Sequence, residues 1–84
     1  MLYHIYTEDK PNLADLASKH FEGFTILKGI GYWQGEPEPC AVIEIIDDKN
    51  AWVDINALAL LIKQENKQQA VLITQTSLDR NILV

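Results

Sequence analysis

Residues 24–46 of the 84-residue chain read FTILKGIGYWQGEPEPCAVIEII, and this stretch decides the fold. Its two ends are rich in β-branched and aromatic residues, which favour strands, whereas residues 34–39 are rich in turn formers. The pattern predicts a β-hairpin with strands at 24–33 and 40–47 and an acidic, proline-containing tip. Gly29 and Gly31 inside the first strand predict a local bulge or twist, which leaves the register of that strand open.

The segments outside the hairpin predict two more strands and two helices. Strands are predicted at residues 2–7, which are rich in β-branched and aromatic residues, and at residues 69–76, where apolar residues alternate. Residues 77–84 show no clear pattern and are predicted to form a C-terminal tail. Between Pro11 and Gly23, apolar residues recur at helical spacing. We therefore expect one α+β domain over residues 1–84: a ferredoxin-like β-α-β-β-α-β plait, a four-stranded antiparallel sheet with two helices on one face.

The second helix has the clearest helical period. Residues 51–65 carry apolar side chains every three to four positions, among them Trp52, which we expect in the core. Asp48 or Asn50 is available to cap its first turn. The glutamines after it, Gln64, Gln68 and Gln69, read as a solvated helix end and turn.

Composition excludes several classes of partner. The net charge of -5 and the scattering of the seven basic residues argue against nucleic-acid binding. The longest apolar run, residues 57–62, is too short to span a membrane. A single cysteine, Cys40, forms no internal disulfide, which suits a reducing compartment, so we expect a cytoplasmic protein.

The sequence predicts neither a metal nor a cofactor. His4, His20 and Cys40 lie in different elements and lack the short spacing of metal ligands. Cys40 reads as a structural thiol, because a nucleophilic thiol needs a neighbouring base. Gly29-Ile30-Gly31 lies within a hairpin strand rather than between a strand and a helix, so it is not a phosphate-binding loop.

Strand alternation divides the sheet into a covered and an open face. The most apolar consistent set lies under the helices: Tyr3, Ile5, Ala41, Ile43, Ile45, Val71 and Ile73. The opposite set is Leu2, His4, Tyr6, Val42, Glu44, Ile46, Leu72 and Thr74. Half of this open set is large and apolar, so we expect a second copy, a partner protein or a small-molecule ligand to cover it, and we favour a homodimer.

Three polar residues of the open face are candidates for chemistry. The first and third strands are neighbours in the expected plait, so His4 and Glu44 come close together with Tyr6 beside them. They form either an acid–base pair or a satisfied hydrogen-bonded pair within an interface, and we favour the second interpretation. Candidate binding or interface residues are Leu2, Tyr32, Trp33, Val42, Ile46 and Leu72. Either Tyr32 or Trp33 can equally cap the core.

Three functions remain open at this point. The first is a non-catalytic interaction protein that self-associates and regulates or inhibits a partner. The second is a small enzyme or metabolite-binding dimer whose cavity is lined by His4, Tyr6 and Glu44. The third is a module whose acidic hairpin tip, around Glu36 and Glu38, docks on a basic protein.

A set of strand residues and glycines carries a family resemblance. Gly23 to Leu27, Gly31, Trp33, Glu38, the apolar run from Ala41 to Ile46, and Gln69 to Leu72 resemble a family of short bacterial ferredoxin-like proteins without an assigned activity. The resemblance spans residues 21–75. It implies the ferredoxin-like (split βαβ) fold and no catalytic residue.

Overall fold

The computed structural model describes residues 1–47, 50–80, 82 and 84. Its elements follow the predicted order: β1 Leu2–Glu8, α1 Leu13–Ser18, β2 Thr25–Trp33, β3 Glu36–Ile46, α2 Trp52–Glu65 and β4 Leu72–Thr76. The strands form one sheet in the order β2-β3-β1-β4, and every neighbouring pair is antiparallel. The predicted α+β class, with an open four-stranded antiparallel sheet and two helices, is confirmed.

The core lies between the helices and one face of the sheet. Buried residues of β1 and β3 pack in one cluster with buried residues of α1 and α2, and Val71 and Ile73 lie partly buried against it. The predicted assignment of the covered face is therefore confirmed. Burial of each large aliphatic side chain contributes about 1.5–3 kcal/mol. The buried hydroxyl of Tyr3 accepts a hydrogen bond from the Ala51 amide at 3.2 Å, so its burial leaves no polar atom without a partner.

The turn of the hairpin is shorter than predicted. Gln34 and Gly35, with φ of 50° and 79°, form a two-residue connection, and β3 begins at Glu36. Positive φ at both turn residues matches the right-handed twist of paired strands. The expected six-residue tip is therefore wrong, and Glu36 and Glu38 lie in a strand rather than a loop. We call the part of the hairpin that extends beyond β1, residues 30–39, the arm.

Pro37 and Pro39 fit within β3 because of the direction their backbone faces. In an antiparallel pair, alternate residues turn their backbone groups towards each neighbour. Pro39 turns towards the β1 side, where its carbonyl accepts a hydrogen bond from the Asp9 amide at 3.4 Å. A proline there removes no donor from the pairing with β2. Proline-rich sequence was therefore a misleading turn signal in the arm.

The predicted glycine bulge does not form. The β2–β3 register runs without a break from Thr25 opposite Glu44 to Trp33 opposite Glu36. On the open face, Cβ atoms at Gly29 and Gly31 would stand 3.7 and 3.9 Å from Cys40 Sγ, which is ordinary van der Waals contact, so Cys40 does not require glycine at either position. The register of β2, which the sequence left open, is therefore the same on both sides of the two glycines.

The helices differ from the prediction at the end of α1 and at Trp52, and they agree with it at Asn50. α1 ends at Ser18, and Asn12 occupies its N-terminal cap position without a side-chain hydrogen bond. The Asn50 side chain accepts a hydrogen bond from the Trp52 amide at 3.1 Å, as one of the two predicted caps; Asp48 lies outside the described residues. Trp52 is 43 % exposed, so its predicted core position is wrong.

Within the described chain, no helix combines the length and apolar character that crossing a membrane needs. Residues 77–80 of the predicted tail form neither helix nor strand.

Candidate functional site on the open sheet face

The open face consists of side chains arranged in rows across the strands. His4 lies between Glu44 of β3 and Thr74 of β4. The next row places Tyr6 between Val42 and Leu72. The polar row of His4 therefore lies directly beside the row in which Val42 and Leu72, both apolar, flank Tyr6.

His4, Glu44 and Tyr6 form a continuous hydrogen-bonded chain, which we call the trio. His4 Nε2 lies 2.8 Å from Glu44 Oε2, and the Tyr6 hydroxyl lies 3.4 Å from His4 Nδ1. The Tyr6 ring meets the His4 ring edge-on, with centroids 5.8 Å apart. The structure thus brings together all three residues that the sequence singled out, because their positions on β1 and β3 face each other in register.

For an ionised carboxylate and a neutral imidazole, the chemistry of the three groups gives the hydrogen bonds one consistent direction. An ionised carboxylate only accepts, so Nε2 of His4 carries the proton that points at Glu44. With the imidazole neutral, Nδ1 then has a free lone pair, and the Tyr6 hydroxyl donates to it. Side-chain exposures of 25 % for His4 and 32 % for Glu44 leave both groups half-screened from water.

Apolar side chains surround the trio. Leu2 and Ile46 face each other one row beyond His4, and Leu72 and Ile46 are 59 % and 56 % exposed. Leu27 of β2 lies opposite Val42 and extends the Tyr6 row. The predicted interface residues Leu2, Val42, Ile46 and Leu72 therefore share this face.

The two aromatic residues of the arm lie on opposite faces. Trp33 pairs with Glu36 on the open face, whereas Tyr32 pairs with Pro37 on the face that the helices cover elsewhere. Trp33 is 70 % exposed and Tyr32 is similarly exposed, so neither residue caps the core.

A groove of about 610 Å³ is lined by the end of β1, by the arm, including Tyr32, and by the turn after α2. Gly31, Trp33 and Cys40 line its arm side, and the turn after α2 lines the other side with Lys67 and Gln68. The groove touches the trio at Tyr6 alone, since neither His4 nor Glu44 lines it. Its volume lies within the range of ligand pockets, about 300–1,000 Å³.

Gln68 shapes this groove, and sequence reasoning missed it. The side chain is 7 % exposed, accepts hydrogen bonds from the Thr7 hydroxyl at 3.1 Å and the Glu8 amide at 3.2 Å, and donates to Thr7 Oγ1 at 2.7 Å. These bonds join the turn after α2 to the end of β1, and the expected solvated position is wrong for Gln68. A glutamine beside a helix end carries no sequence signal of burial, because its partner Thr7 is 61 residues away.

The described residues include no group of three or more histidine, cysteine, aspartate or glutamate side chains placed to hold a metal ion.

Comparisons with protein-family models, with curated proteins and with solved structures gave no significant match. The family resemblance of residues 21–75 stays a prediction, and function is argued from the open face itself.

Proposed function

We propose that this protein is a non-catalytic binding protein that self-associates by packing the open sheet faces of two copies together. The observation that carries the proposal is the apolar surface around the trio, formed by Leu2, Leu27, Val42, Ile46 and Leu72. A contiguous apolar sheet face is unfavourable in water and is usually covered by a partner.

The polar residues of this face also suit burial. Removing a polar group from water is costly unless it keeps a hydrogen-bond partner. His4 bonds to Glu44 at 2.8 Å and accepts from Tyr6 at 3.4 Å, so these groups keep partners when water leaves. An apolar covering therefore leaves no donor of the trio unpaired.

A second copy fits this surface in one orientation better than in others. Two sheets pack face to face at about 10 Å, and a two-fold axis lets the same patch meet itself. Glu8, Glu36 and Glu38 share the arm end of the open face. A two-fold axis that runs across the strands places the two arm ends apart and keeps these like charges separated.

We also propose that the fold is the ferredoxin-like plait. The element order together with the strand order β2-β3-β1-β4 supports it, since each β-α-β half then skips one strand. The reduced single cysteine, Cys40, supports a cytoplasmic location.

The test is the solution mass of the protein and of two matched variants. Leu72→Arg places a charge on the open face and is expected to convert the dimer to a monomer, because an unpaired buried charge is strongly unfavourable. Val53→Arg is the control, since Val53 is an exposed apolar residue of α2 away from the sheet. We expect it to stay dimeric.

The result that overturns self-association is a wild-type monomer at high micromolar concentration. Equal loss of the dimer in both variants would overturn the choice of the open face.

A further inference from the structure

The outer strand β4 turns alternate backbone groups away from the sheet. Met1 and Asp47 exchange two hydrogen bonds, with N···O distances of 2.9 and 3.0 Å, at the end of the unbroken β1–β3 register. Odd-numbered residues of β1 therefore bond to β3, and even-numbered residues of β1 bond to β4. Even-numbered residues of β1 lie opposite even-numbered residues of β4. The N–H and C=O groups of Ile73 and Gln75 consequently face the free edge.

The chain around β4 lacks the residues that normally discourage strand addition. Residues 69–78 contain no charged residue, no proline and no glycine. The other outer strand, β2, carries Lys28 at its centre, with a side chain that is 71 % exposed, and two glycines. Charged residues and prolines on an edge strand oppose pairing with a further chain. The outer edge of β4 is therefore the edge at which an extended chain adds with the least obstruction.

A pocket of about 270 Å³ lies beside this edge, between α2 and β4. Ala59, Leu60 and Lys63 of α2 line it on one side, and Val71 and Ile73 line it on the other. Its volume is below the range of small-molecule pockets, about 300–1,000 Å³. A strand added to β4 would turn alternate side chains towards α2, as Ile73 does, and the pocket suits such side chains.

The pocket lining indicates the chemistry of the added strand. Leu60 is 54 % exposed and apolar, as are Val71 and Ile73, so the added strand should present apolar side chains here. Lys63 is the charged side chain among the described residues that line the pocket, and it favours a carboxylate at this end. An extended segment with alternating apolar residues and one acidic residue therefore fits.

A second copy of β4 fits the same edge poorly. Antiparallel pairing of all five residues of two β4 strands places Gln75 of the second copy opposite Ile73 and its Ser77 opposite Val71. Polar side chains would then enter the apolar pocket, where they lose water without gaining a partner. The edge is therefore better matched by a different chain.

We infer that the outer edge of β4 binds an extended segment of a partner protein, which adds to the sheet as a fifth strand. Its backbone bonds to Ile73 and Gln75, its alternate apolar side chains enter the pocket, and its carboxylate pairs with Lys63. This site goes beyond the proposed self-association and does not rest on it, because packing of two sheet faces uses no backbone group of an outer edge.

The test uses an eight-residue peptide, blocked at both ends, that is designed to lie antiparallel to β4. It has threonine at positions 1, 3, 5 and 7, valine at position 2, isoleucine at positions 4 and 6, and glutamate at position 8. This alignment places positions 4 and 6 opposite Ile73 and Val71, and position 8 opposite Gln69, which lines the pocket with Lys63. Amides at even positions then face β4.

N-methylation separates strand addition from unspecific sticking. Methyl groups on the amides of positions 3 and 5 block the far edge of the peptide, which prevents stacking of peptides, and leave its bonds to β4 intact. The matched control carries the methyl groups on positions 4 and 6 instead. Calorimetry with the full chain is expected to show one molecule of the first peptide per chain. The control should bind at least about tenfold more weakly, because two hydrogen bonds are lost.

Two substitutions at one position test the edge from the side of the protein. Gln75→Pro removes an outward N–H from an exposed residue, a position where an edge strand tolerates proline. It should weaken binding of the first peptide at least about fivefold. Gln75→Val keeps the N–H and should bind within about twofold of wild type. Lys63→Glu should bind the analogue with lysine at position 8 more tightly than the glutamate peptide.

Equal affinity for the two methylated peptides, or equal binding by Gln75→Pro and Gln75→Val, would overturn the inference. Failure of wild-type protein to bind the first peptide at about 1 mM would also overturn it. A solution mass that falls in Gln75→Pro without peptide would assign the edge to a second copy and overturn the choice of partner. Binding of the first peptide, but not of the control, by a protein that sedimentation shows to be monomeric would support this site and overturn self-association.

Discussion

At the scale of single residues, hydrogen-bonded polar side chains join elements that are far apart in the sequence. Among the described residues, Gln68 bonds to Thr7 and His4 bonds to Glu44, and both bonds join side chains that lie far apart in the sequence. Gln68 joins α2 to β1 from a buried position, whereas the trio stays accessible. Loss of the Gln68 bonds is therefore expected to act mainly on stability.

Gln68→Ala should lower the free energy of unfolding by about 1–3 kcal/mol, because the Glu8 amide loses its acceptor and Thr7 Oγ1 loses the amide donor of Gln68. Gln69→Ala is the matched control: Gln69 is the exposed neighbour and should change stability by less than about 0.5 kcal/mol. Urea unfolding of the two variants measures the difference. Equal stability of the two would show that the Gln68 bonds contribute nothing net.

At the scale of elements, the hairpin has a two-residue turn where the sequence predicted a six-residue loop. Gln34 and Gly35 both have positive φ, a conformation that glycine adopts without steric cost and that a side chain with a Cβ disfavours. The turn therefore depends on glycine at its second position.

Gly35→Val should destabilise the protein by about 1–2 kcal/mol, because a β-branched residue is strained at a φ of 79°. Gly23→Val is the control at the entry to β2, where an added Cβ meets no atom within 4 Å and φ is not positive. Thermal unfolding of both variants tests the difference. A Gly35→Val protein as stable as Gly23→Val would mean that another turn conformation is equally accessible.

The elements also show what sequence could predict. Alternation in β1 predicted that Tyr3 and Ile5 are buried and that His4 and Tyr6 face outward, because one covered face imposes a period of two. The same alternation in β3 placed Glu44 on the face of His4. The arm was missed, because Pro37 and Pro39 signal a turn locally and only the position of β1 makes them acceptable in a strand. Gln68 was missed because its burial depends on Thr7.

At the scale of the whole molecule, the two central strands of the sheet have more hydrogen-bonded neighbours than the outer strands. β1 and β3 have neighbours on both sides, whereas β2 and β4 are outer strands and the arm extends beyond β1. Backbone hydrogen bonds with packed neighbours open only in larger unfolding events. Stability should therefore fall from the centre of the sheet towards the arm.

Amide hydrogen exchange should reflect this order. We expect the amides of Ile5 and Ile43, both fully buried, to exchange at least about tenfold more slowly than those of Gly31 and Glu38 in the arm. Mass spectrometry of exchanged peptides, or nuclear magnetic resonance, provides the measurement. Uniform protection along β2 and β3 would indicate that a partner covers the arm in solution.

The two prolines of the arm also limit how the protein can polymerise. On the side where β1 ends, neither Pro37 nor Pro39 has an amide hydrogen to donate, and the Pro39 carbonyl already accepts a hydrogen bond from the Asp9 amide. An incoming strand needs donors and acceptors in alternation, so it finds only half of its bonds there. Addition of a strand to the arm on the side where β1 ends is therefore disfavoured. A chain that extends the sheet has to add at the outer edge of β2 or of β4.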